Sequence, residues 1–355
     1  MVKNVAIVSL SSGIIGEDFV GHEVALGLKR LRDLGLNVKM MPHAQKGLEY
    51  VKEHPEERAE DLLAALSDDS VDVILCAIGG DDTYRLLPYL FEGDRLRKAA
   101  KQKIFLGFSD STFNHLMLHK VGIRSFYGQA FLPDLCELDN GMLPYSARFF
   151  EELIRTGGIR EIRPSGIWYE NRTDWSPAAL GTARVSHPNS GFRLLQGPSR
   201  FSGKILGGCL DSLYDVFDNG RYADTVSLCE KYGLFPSPDD WRGRILLLET
   251  SEETPDPEKY RSMLTALKKT GIFSVISGIL CGKPMDGLYE EDYNRILPEV
   301  VGDPDLPILV NLSVGHAAPR AIVPFGVDAF VDAEEQVIRF AEPPKPSEEG
   351  RSERK

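Results

Sequence analysis

The sequence predicts an α/β fold: an N-terminal parallel sheet flanked by helices, then a second, less regular α/β block. Three observations carry this. Across the first ~130 residues, apolar runs of strand length alternate with stretches of helical periodicity, the pattern of a parallel sheet covered by helices. At 355 residues the chain exceeds one typical core and suits two domains. Between the two regular blocks, the stretch from Gly157 to about Gly208 is rich in Gly, Pro, Ser and aromatics and carries no strong helical pattern.

The elements follow in order. Residues 5–10 form a continuous apolar strand. Residues 19–34 place Val20, Val24, Leu28 and Leu31 on one helical stripe, and Gly35 stands where a helix end favours a left-handed residue. A short strand is expected at 37–41. A helix is expected at 56–66, opened by Pro55 and rich in early acid that complements the helix dipole. Residues 71–78 are almost wholly apolar, as in a strand buried on both faces. A fourth strand at 104–107 leads into a helix at 111–120, and 145–156 reads as helical. After the irregular stretch, 205–217 leads into helix and 244–249 is an apolar strand ending in a carboxylate. The helix 257–269 has Tyr260, Met263, Leu264 and Leu267 as its buried stripe. Strands at 275–281 and 306–310 bracket a helix at 290–297, and two short strands, 321–324 and 337–340, are expected to close the second block. The tail from 342 is charged and proline-rich and is expected to be disordered. The expected division is therefore 1–160, 161–341 and a tail 342–355.

Composition narrows the function. The net charge of −12, from 41 basic and 53 acidic residues, argues against a nucleic-acid polymer as partner. Small molecules or peptides fit better. No apolar run approaches the ~20 residues needed to span a bilayer. The N-terminal apolar stretch is followed by Ser11, Ser12, Glu17 and Asp18, which is not the shape of a signal peptide. The five cysteines, Cys76, Cys136, Cys209, Cys229 and Cys281, are scattered and lack C-x-x-C spacing. That suits reduced thiols in the cytoplasm and gives no metal signature; Cys76 and Cys281 read as buried strand residues.

Residues with chemistry stand at strand ends. Gly107-Phe108-Ser109-Asp110-Ser111 follows a short strand and precedes a helix, the context of a nucleophile elbow, although Ser111 replaces the second glycine of G-x-S-x-G. The alternative for Ser109 is a helix cap. Strand 71–78 runs into Gly79-Gly80-Asp81-Asp82, where glycines let backbone N–H groups approach a ligand at a helix start. Such a loop serves as a phosphate cradle or as half of an oxyanion hole; the alternative is a plain turn capped by Asp81 or Asp82. It lacks the G-K-[ST] ending of a Walker loop.

A nucleophilic serine needs a base, and the base needs an orienting group. His316 lies just past the end of an apolar strand, where ligand sites of parallel sheets gather. Glu249 ends the strand 244–249. Either residue alone also reads as a solvated strand-end group. His22, His43, His54, His115, His119 and His187 fall in helices or polar loops with no special setting. The order Ser, Glu, His is one that convergent triads use.

These residues carry a resemblance. Residues 55–62 (PEERAEDL), Ile78-Gly79-Gly80-Asp81-Asp82 with Arg85 to Leu90, Gly107-Phe108-Ser109-Asp110, Ile205-Leu206-Gly207-Gly208, Leu248-Glu249 and Val314-Gly315-His316-Ala317-Ala318-Pro319-Arg320 stand in one order. Together they resemble the LD-carboxypeptidase family of serine peptidases, and within it the MccF-like branch of microcin C self-immunity peptidases. The resemblance implies a flavodoxin- or amidotransferase-like N-terminal domain and a C-terminal α/β domain of β-rich, swivelling character. It implies a triad on Ser109, Glu249 and His316 and an oxyanion hole from the N–H groups of Gly80 and Asp110. It also implies a homodimer with the site at the domain junction, and no cofactor or metal. Gly79, Asp81, Trp175, Gly208 and Cys209 are the candidate substrate contacts, Trp175 as an aromatic able to stack on a nucleobase. One position departs from the family: Gly207-Gly208-Cys209-Leu210 stands where Gly-Gly-Asn-Leu is usual, and a thiol is a poor substitute for an amide in holding substrate. No His or cation close in sequence depresses the Cys209 pKa, which argues against it as nucleophile.

The implied reaction is hydrolysis of an amide in a small peptide-like molecule. The MccF-like branch implies an aspartyl–adenylate phosphoramidate; the other branch implies removal of D-Ala from a murein tetrapeptide. Rivals of another class are a catalytically silent binding protein on the same fold and a phosphate-binding protein that uses Gly79-Gly80 alone.

Overall fold

In a computed structural model the described residues are 2–341, so the tail expected to be disordered lies outside them. The first sheet has six strands, in the order Val323–Phe325, Ser125–Tyr127, Ile104–Gly107, Val73–Cys76, Asn4–Val8 and Asn37–Met40. All neighbours are parallel except Val323–Phe325, which pairs antiparallel with Ser125–Tyr127. Every residue of Val73–Cys76 is buried, as an all-apolar strand covered on both faces requires. The expected helices stand where the periodicity put them. Gly21–Asp33 buries Val24 and Leu31, and Pro55–Ser67 carries Pro at its first turn.

The second sheet has eight strands. Its centre is parallel: Arg200–Cys209, Ile245–Glu249, Gly278–Gly282 and Ile308–Leu312. Antiparallel strands flank it, with Asp328–Asp332, Val337–Phe340 and Glu161–Ile162 on one side and Arg193–Gln196 on the other. A separate ribbon pairs Ile167–Tyr169 with Ser186–Pro188. The helix Pro257–Lys269 covers this sheet with Tyr260, Met263, Leu264 and Leu267 inward, capped by Asp256, whose carboxylate accepts from the N–H groups of Glu258 and Lys259 at 3.0 and 2.8 Å.

Three expectations shift. The closing strand near 321–324 does not stay with the second sheet. As Val323–Phe325 it returns to the edge of the first, so the chain after His316 ties the two sheets together. The helices after the glycine loop and after Ser109 begin as 3-10 turns, Thr83–Leu86 and Ser109–Ser111. The strand expected at 275–281 runs instead over Gly278–Gly282 behind a 3-10 turn at Ile272–Ser274, as Gly271 restarts the chain in the left-handed region.

Candidate active site

Four strand ends meet where the sheets adjoin. The helix Thr112–Lys120, which follows Ser109, packs against the strand Arg200–Cys209 of the second sheet, and the Thr112 hydroxyl accepts from the Cys209 N–H at 2.9 Å. The turn that carries Ser109 on one sheet is thereby registered on the strand ends of the other.

Ser109 sits at φ +62°, in the left-handed region that a non-glycine residue seldom occupies. A sharp strand-to-helix turn of this kind raises a serine hydroxyl above the sheet edge. The turn is clamped from below. The Ser109 N–H donates to the Tyr127 hydroxyl at 3.1 Å, and His115 lies buried beneath, its ring nitrogens 3.1 Å from the Gly107 carbonyl and 2.7 Å from the Ser125 hydroxyl. Burial lowers the His115 pKa to about 4, so its ring is neutral there. The sequence placed His115 among histidines without a special setting. A helical histidine with apolar neighbours carries no signal that its ring supports a functional turn.

The glycine loop crosses directly above Ser109. A Cβ on Gly79 would stand 2.7 Å from the Ser109 Cβ, and one on Gly80, at φ +154°, would stand 2.2 Å from the Ser11 hydroxyl. Only glycine permits this approach. Ser11 ties the loop down: its hydroxyl accepts from the N–H of Asp81 at 3.0 Å and donates to the Asp110 carboxylate at 2.7 Å. Asp110 also accepts from the Thr83 N–H at 2.9 Å. Asp82 is held by Arg58 in a fully buried ion pair, and Arg58 also reaches the carbonyls of Leu10 and Ser11, both at 3.3 Å. Among the described residues no hydrogen bond within the protein engages the backbone N–H of Gly80 or of Asp110. Two donors beside a serine hydroxyl are what a developing oxyanion requires.

From the second sheet come Glu249, the last residue of its strand, and His316, in the loop after Ile308–Leu312. His316 Nδ1 is 2.7 Å from Glu249 Oε2, and His316 Nε2 is 3.0 Å from Ser109 Oγ. Glu249 is buried and fully occupied: Tyr127 donates to its Oε1, and the His316 N–H donates to its Oε2 at 3.2 Å. Gly315, at φ +87°, makes room for it, since a Cβ there would lie 2.4 Å from Oε2. Arg320 fixes the histidine loop through the carbonyls of Gly315 and His316 and pairs with buried Asp134 at 3.2 Å. Its guanidinium also lies 4.8 Å over the Phe108 ring, which meets His316 edge-on. Sequence reasoning assigned no role to Tyr127, Arg320 or Ser11. Tyr127 lies in a strand of three residues whose Ser-Phe-Tyr wording has no pattern.

A second carboxylate reaches the same ring. Glu252, in the loop after Glu249, places Oε2 2.9 Å from His316 Nε2. Burial opposes charge on the imidazole, but Glu249 and Glu252 outweigh it and hold the His316 pKa up at about 10. The hydrogen bond to His316 in turn lowers the Glu252 pKa to about 2.

A cavity of about 520 Å³, mostly apolar, opens in front of Ser109 and His316. Gly79, Gly80, Phe19, Trp175 and Met285 are among the residues that line it. Trp175 is buttressed from behind. The Arg184 guanidinium lies 5.6 Å from its ring, and Arg184 and Arg172 clasp buried Glu137 at 2.6 and 2.8 Å. Among the other candidate contacts, Asp81 and Cys209 line a smaller cleft on the far side of Ser109. Gly208 lines neither space. It is buried, and a Cβ there would strike Thr112 and Tyr127, so its place is a close approach between the two sheets. Cys209, Glu249 and His316 bring donor atoms within 4.8 Å of one another. Glu249 and His316 are committed to each other, and the Cys209 thiol is held well above its usual pKa by burial and by Glu249. The trio does not suit a metal, and the thiol does not suit a nucleophile. All five cysteines are buried and unpaired.

Comparison with known proteins identifies the family. Residues 5–128 match the LD-carboxypeptidase N-terminal domain and 202–331 the LD-carboxypeptidase C-terminal domain. An MccF-like protein from Streptococcus pneumoniae, solved in complex with AMP, is 67% identical, with a TM-score of 0.95 over 96% of this chain and 99% of that one. The microcin C7 self-immunity protein MccF of Escherichia coli is 25% identical over 81% of this chain and 78% of its own. A probable murein peptide carboxypeptidase of Bacillus subtilis is also 25% identical, over 86% and 83%. Among the described residues no helix is long and apolar enough to cross a membrane. The chain belongs to the LD-carboxypeptidase family and is a serine-type carboxypeptidase of the MccF-like kind.

Proposed function

We propose that Ser109, His316 and Glu249 form a catalytic triad that hydrolyses the amide joining an aminoacyl group, aspartyl in the branch it resembles, to a phosphoramidate-linked adenylate. The observation that carries the triad is the unbroken line Glu249 Oε2, His316 Nδ1, His316 Nε2, Ser109 Oγ, with steps of 2.7 and 3.0 Å, ending on a serine held at φ +62°. The AMP bound by the S. pneumoniae relative, and Trp175 among the residues lining a cavity of about 520 Å³, favour the adenylate over a murein tetrapeptide. On this reading residues 1–160 supply nucleophile and oxyanion donors, and 161–341 supply Glu249 and His316. The protein works as a cytoplasmic enzyme, and its homodimer is part of the same proposal.

His316 Nε2 takes the Ser109 proton as Oγ attacks the carbonyl carbon. The N–H groups of Gly80 and Asp110 receive the negative charge; losing one such donor costs about 10²–10³ in rate. Glu249 holds the proton on Nδ1 and stabilises the imidazolium. His316 then protonates the leaving nitrogen, and water attacks the acyl-enzyme by the same route in reverse. No step calls for a metal or an organic cofactor.

The test compares wild type with Ser109→Ala on an aspartyl-phosphoramidate adenylate and on a murein tetrapeptide, with products followed by mass spectrometry. Wild type is expected to cleave the adenylate, and the variant to lose at least about 10⁴-fold in kcat. Equal cleavage by both proteins overturns the triad. Cleavage of the tetrapeptide alone moves the substrate to the murein branch.

A further inference from the structure

Glu252 is not needed by the mechanism above, yet it contacts its central atom. His316 Nε2 lies 2.9 Å from Glu252 Oε2 and 3.0 Å from Ser109 Oγ. The Ser109 contact has hydrogen-bond geometry, and the Glu252 carboxylate stands beside it as an ion-pair partner of the same nitrogen. With Glu249 on Nδ1 and Glu252 beside Nε2, two carboxylates favour the doubly protonated ring, whose Nε2 has no lone pair for Ser109. The resting arrangement is that of a base already protonated.

The two carboxylates differ in freedom. The Glu249 side chain is fully buried and triply bonded, whereas that of Glu252 is 63% exposed. Only Glu252 is able to swing away without breaking the core. The smaller cleft beyond Ser109, on which Glu252 also stands, has acidic walls: Asp81, Asp211, Asp215 and Glu253. Arg221 is the one cation on that cleft among the described residues, and it is already paired with Glu253 at 2.7 Å and Asp215 at 3.4 Å. An anion entering there meets like charge; an ammonium meets carboxylates, among them Glu252, which contacts the same His316 nitrogen as Ser109.

We propose that Glu252 is a positioning residue that restrains His316 in the resting enzyme and is drawn off by an ammonium group on the carbon next to the scissile carbonyl. The inference rests on the triad reading and names the part of the substrate that triggers it. As the ammonium takes the Glu252 carboxylate, His316 loses one of its two anions and releases the Nε2 proton to water. Neutral Nε2 then accepts the Ser109 proton while Oγ bonds to the carbonyl carbon. The other groups facing the ring stay in place: Glu249 on Nδ1, Asp211 beyond Cys209, the Phe108 ring at 5.1 Å, and Arg320 on the His316 carbonyl. An aminoacyl adenylate carries its free α-ammonium at the required place. In a murein tetrapeptide the nitrogen next to the scissile carbonyl is acylated and uncharged.

The sign of the pH effect follows. Two carboxylates raise the pKa of His316, so the free enzyme holds it protonated from acid up to about pH 10. Removing Glu252 lowers that limit. The experiment uses a fluorophosphonate, which labels Ser109 without supplying an ammonium, and an alanyl-phosphoramidate adenylate alongside its Nα-acetyl form. Glu252→Gln is expected to label at least about tenfold faster at pH 7, with the labelling midpoint moved toward the ordinary histidine range. Wild type is expected to prefer the free amine over the acetylated form at least about tenfold in kcat/KM, and Glu252→Gln to lose that preference. Glu252→Ala must behave alike, since the side chain's role is its charge. An unchanged midpoint or an unchanged preference in both variants overturns the proposal. If wild-type Ser109 takes no label even above pH 10, the triad reading itself fails, which separates the two.

Discussion

The two sides of Ser109 are built on opposite plans. On the side of the first sheet, the glycine loop is held by buried pairs: Arg58 with Asp82, Ser11 with the Asp110 carboxylate and the Asp81 N–H, and the Thr83 N–H with Asp110. On the side of the second sheet, the order stops at Glu249. Beyond it stand Glu252, exposed, and Trp175, 37% exposed, on the cavity lining. The difference fits the roles proposed for the two sides. Oxyanion donors help only if they do not reorganise during the reaction, whereas groups that recognise substrate must admit and release it.

The sealed side is broken most severely through Arg58. Arg58→Met removes the cation from a pair at 1% and 3% side-chain exposure and leaves Asp82 as an uncompensated buried charge. Such a loss costs about 3–5 kcal/mol. Urea unfolding is expected to show a large fall in midpoint. Replacing both partners together, Arg58→Met with Asp82→Asn, is expected to recover much of it. If Arg58→Met alone unfolds like wild type, the loop is not held as described.

Tyr127 is the link between the two plans. Its hydroxyl accepts from the Ser109 N–H and donates to Glu249, so one oxygen spans the elbow of one sheet and the carboxylate of the other. Tyr127→Phe leaves the ring in its stack on Phe325 and removes only that oxygen. Two buried groups lose a partner, at about 1–3 kcal/mol each. The expected result is a drop of about 10–100-fold in kcat with KM little changed. A rise in KM at constant kcat would show that the hydroxyl serves binding rather than the triad.

How much of this was legible in the sequence follows the same division. Strands and helices with a clear period, such as Val73–Cys76 and Pro257–Lys269, were readable because burial on a regular element repeats along the chain. Ser109, Glu249 and His316 were readable as residues because each follows an apolar strand, and strand ends are where parallel sheets expose side chains. Their convergence was not readable from periodicity, since it depends on how two sheets meet, and only the ordered family wording hinted at it. Val323–Phe325 shows the limit. Nothing in a three-residue apolar segment says which of two sheets it will join. Tyr127 and Arg58 escaped for the same reason: their partners lie 122 and 24 residues away, and the neighbours of a residue in sequence do not name a distant partner. Gly208 went the other way. Beside the unusual Cys209 it read as a substrate contact, whereas its lack of a side chain is used where the two sheets touch.

The smallest expected effect is on the open side, at Trp175. Its indole forms part of the cavity wall with the Arg184 guanidinium 5.6 Å from its ring, so a nucleobase stacking there would leave the tryptophan largely where it is. Stacking of a base on an aromatic side chain is worth about 1–3 kcal/mol. Trp175→Ala is therefore expected to weaken AMP binding by about tenfold, read by calorimetry, and to raise KM for the aminoacyl adenylate by a similar factor. The rate of fluorophosphonate labelling of Ser109, which involves no base, is expected to stay at the wild-type value. Trp175→Phe keeps a π-face and should recover most of the affinity. If the alanine variant binds AMP as wild type does, Trp175 is a wall residue only, and the base sits elsewhere in the cavity. If the alanine variant instead slows labelling, the segment around Trp175 bears on the triad, and the two sides of Ser109 are less separate than their hydrogen bonding indicates.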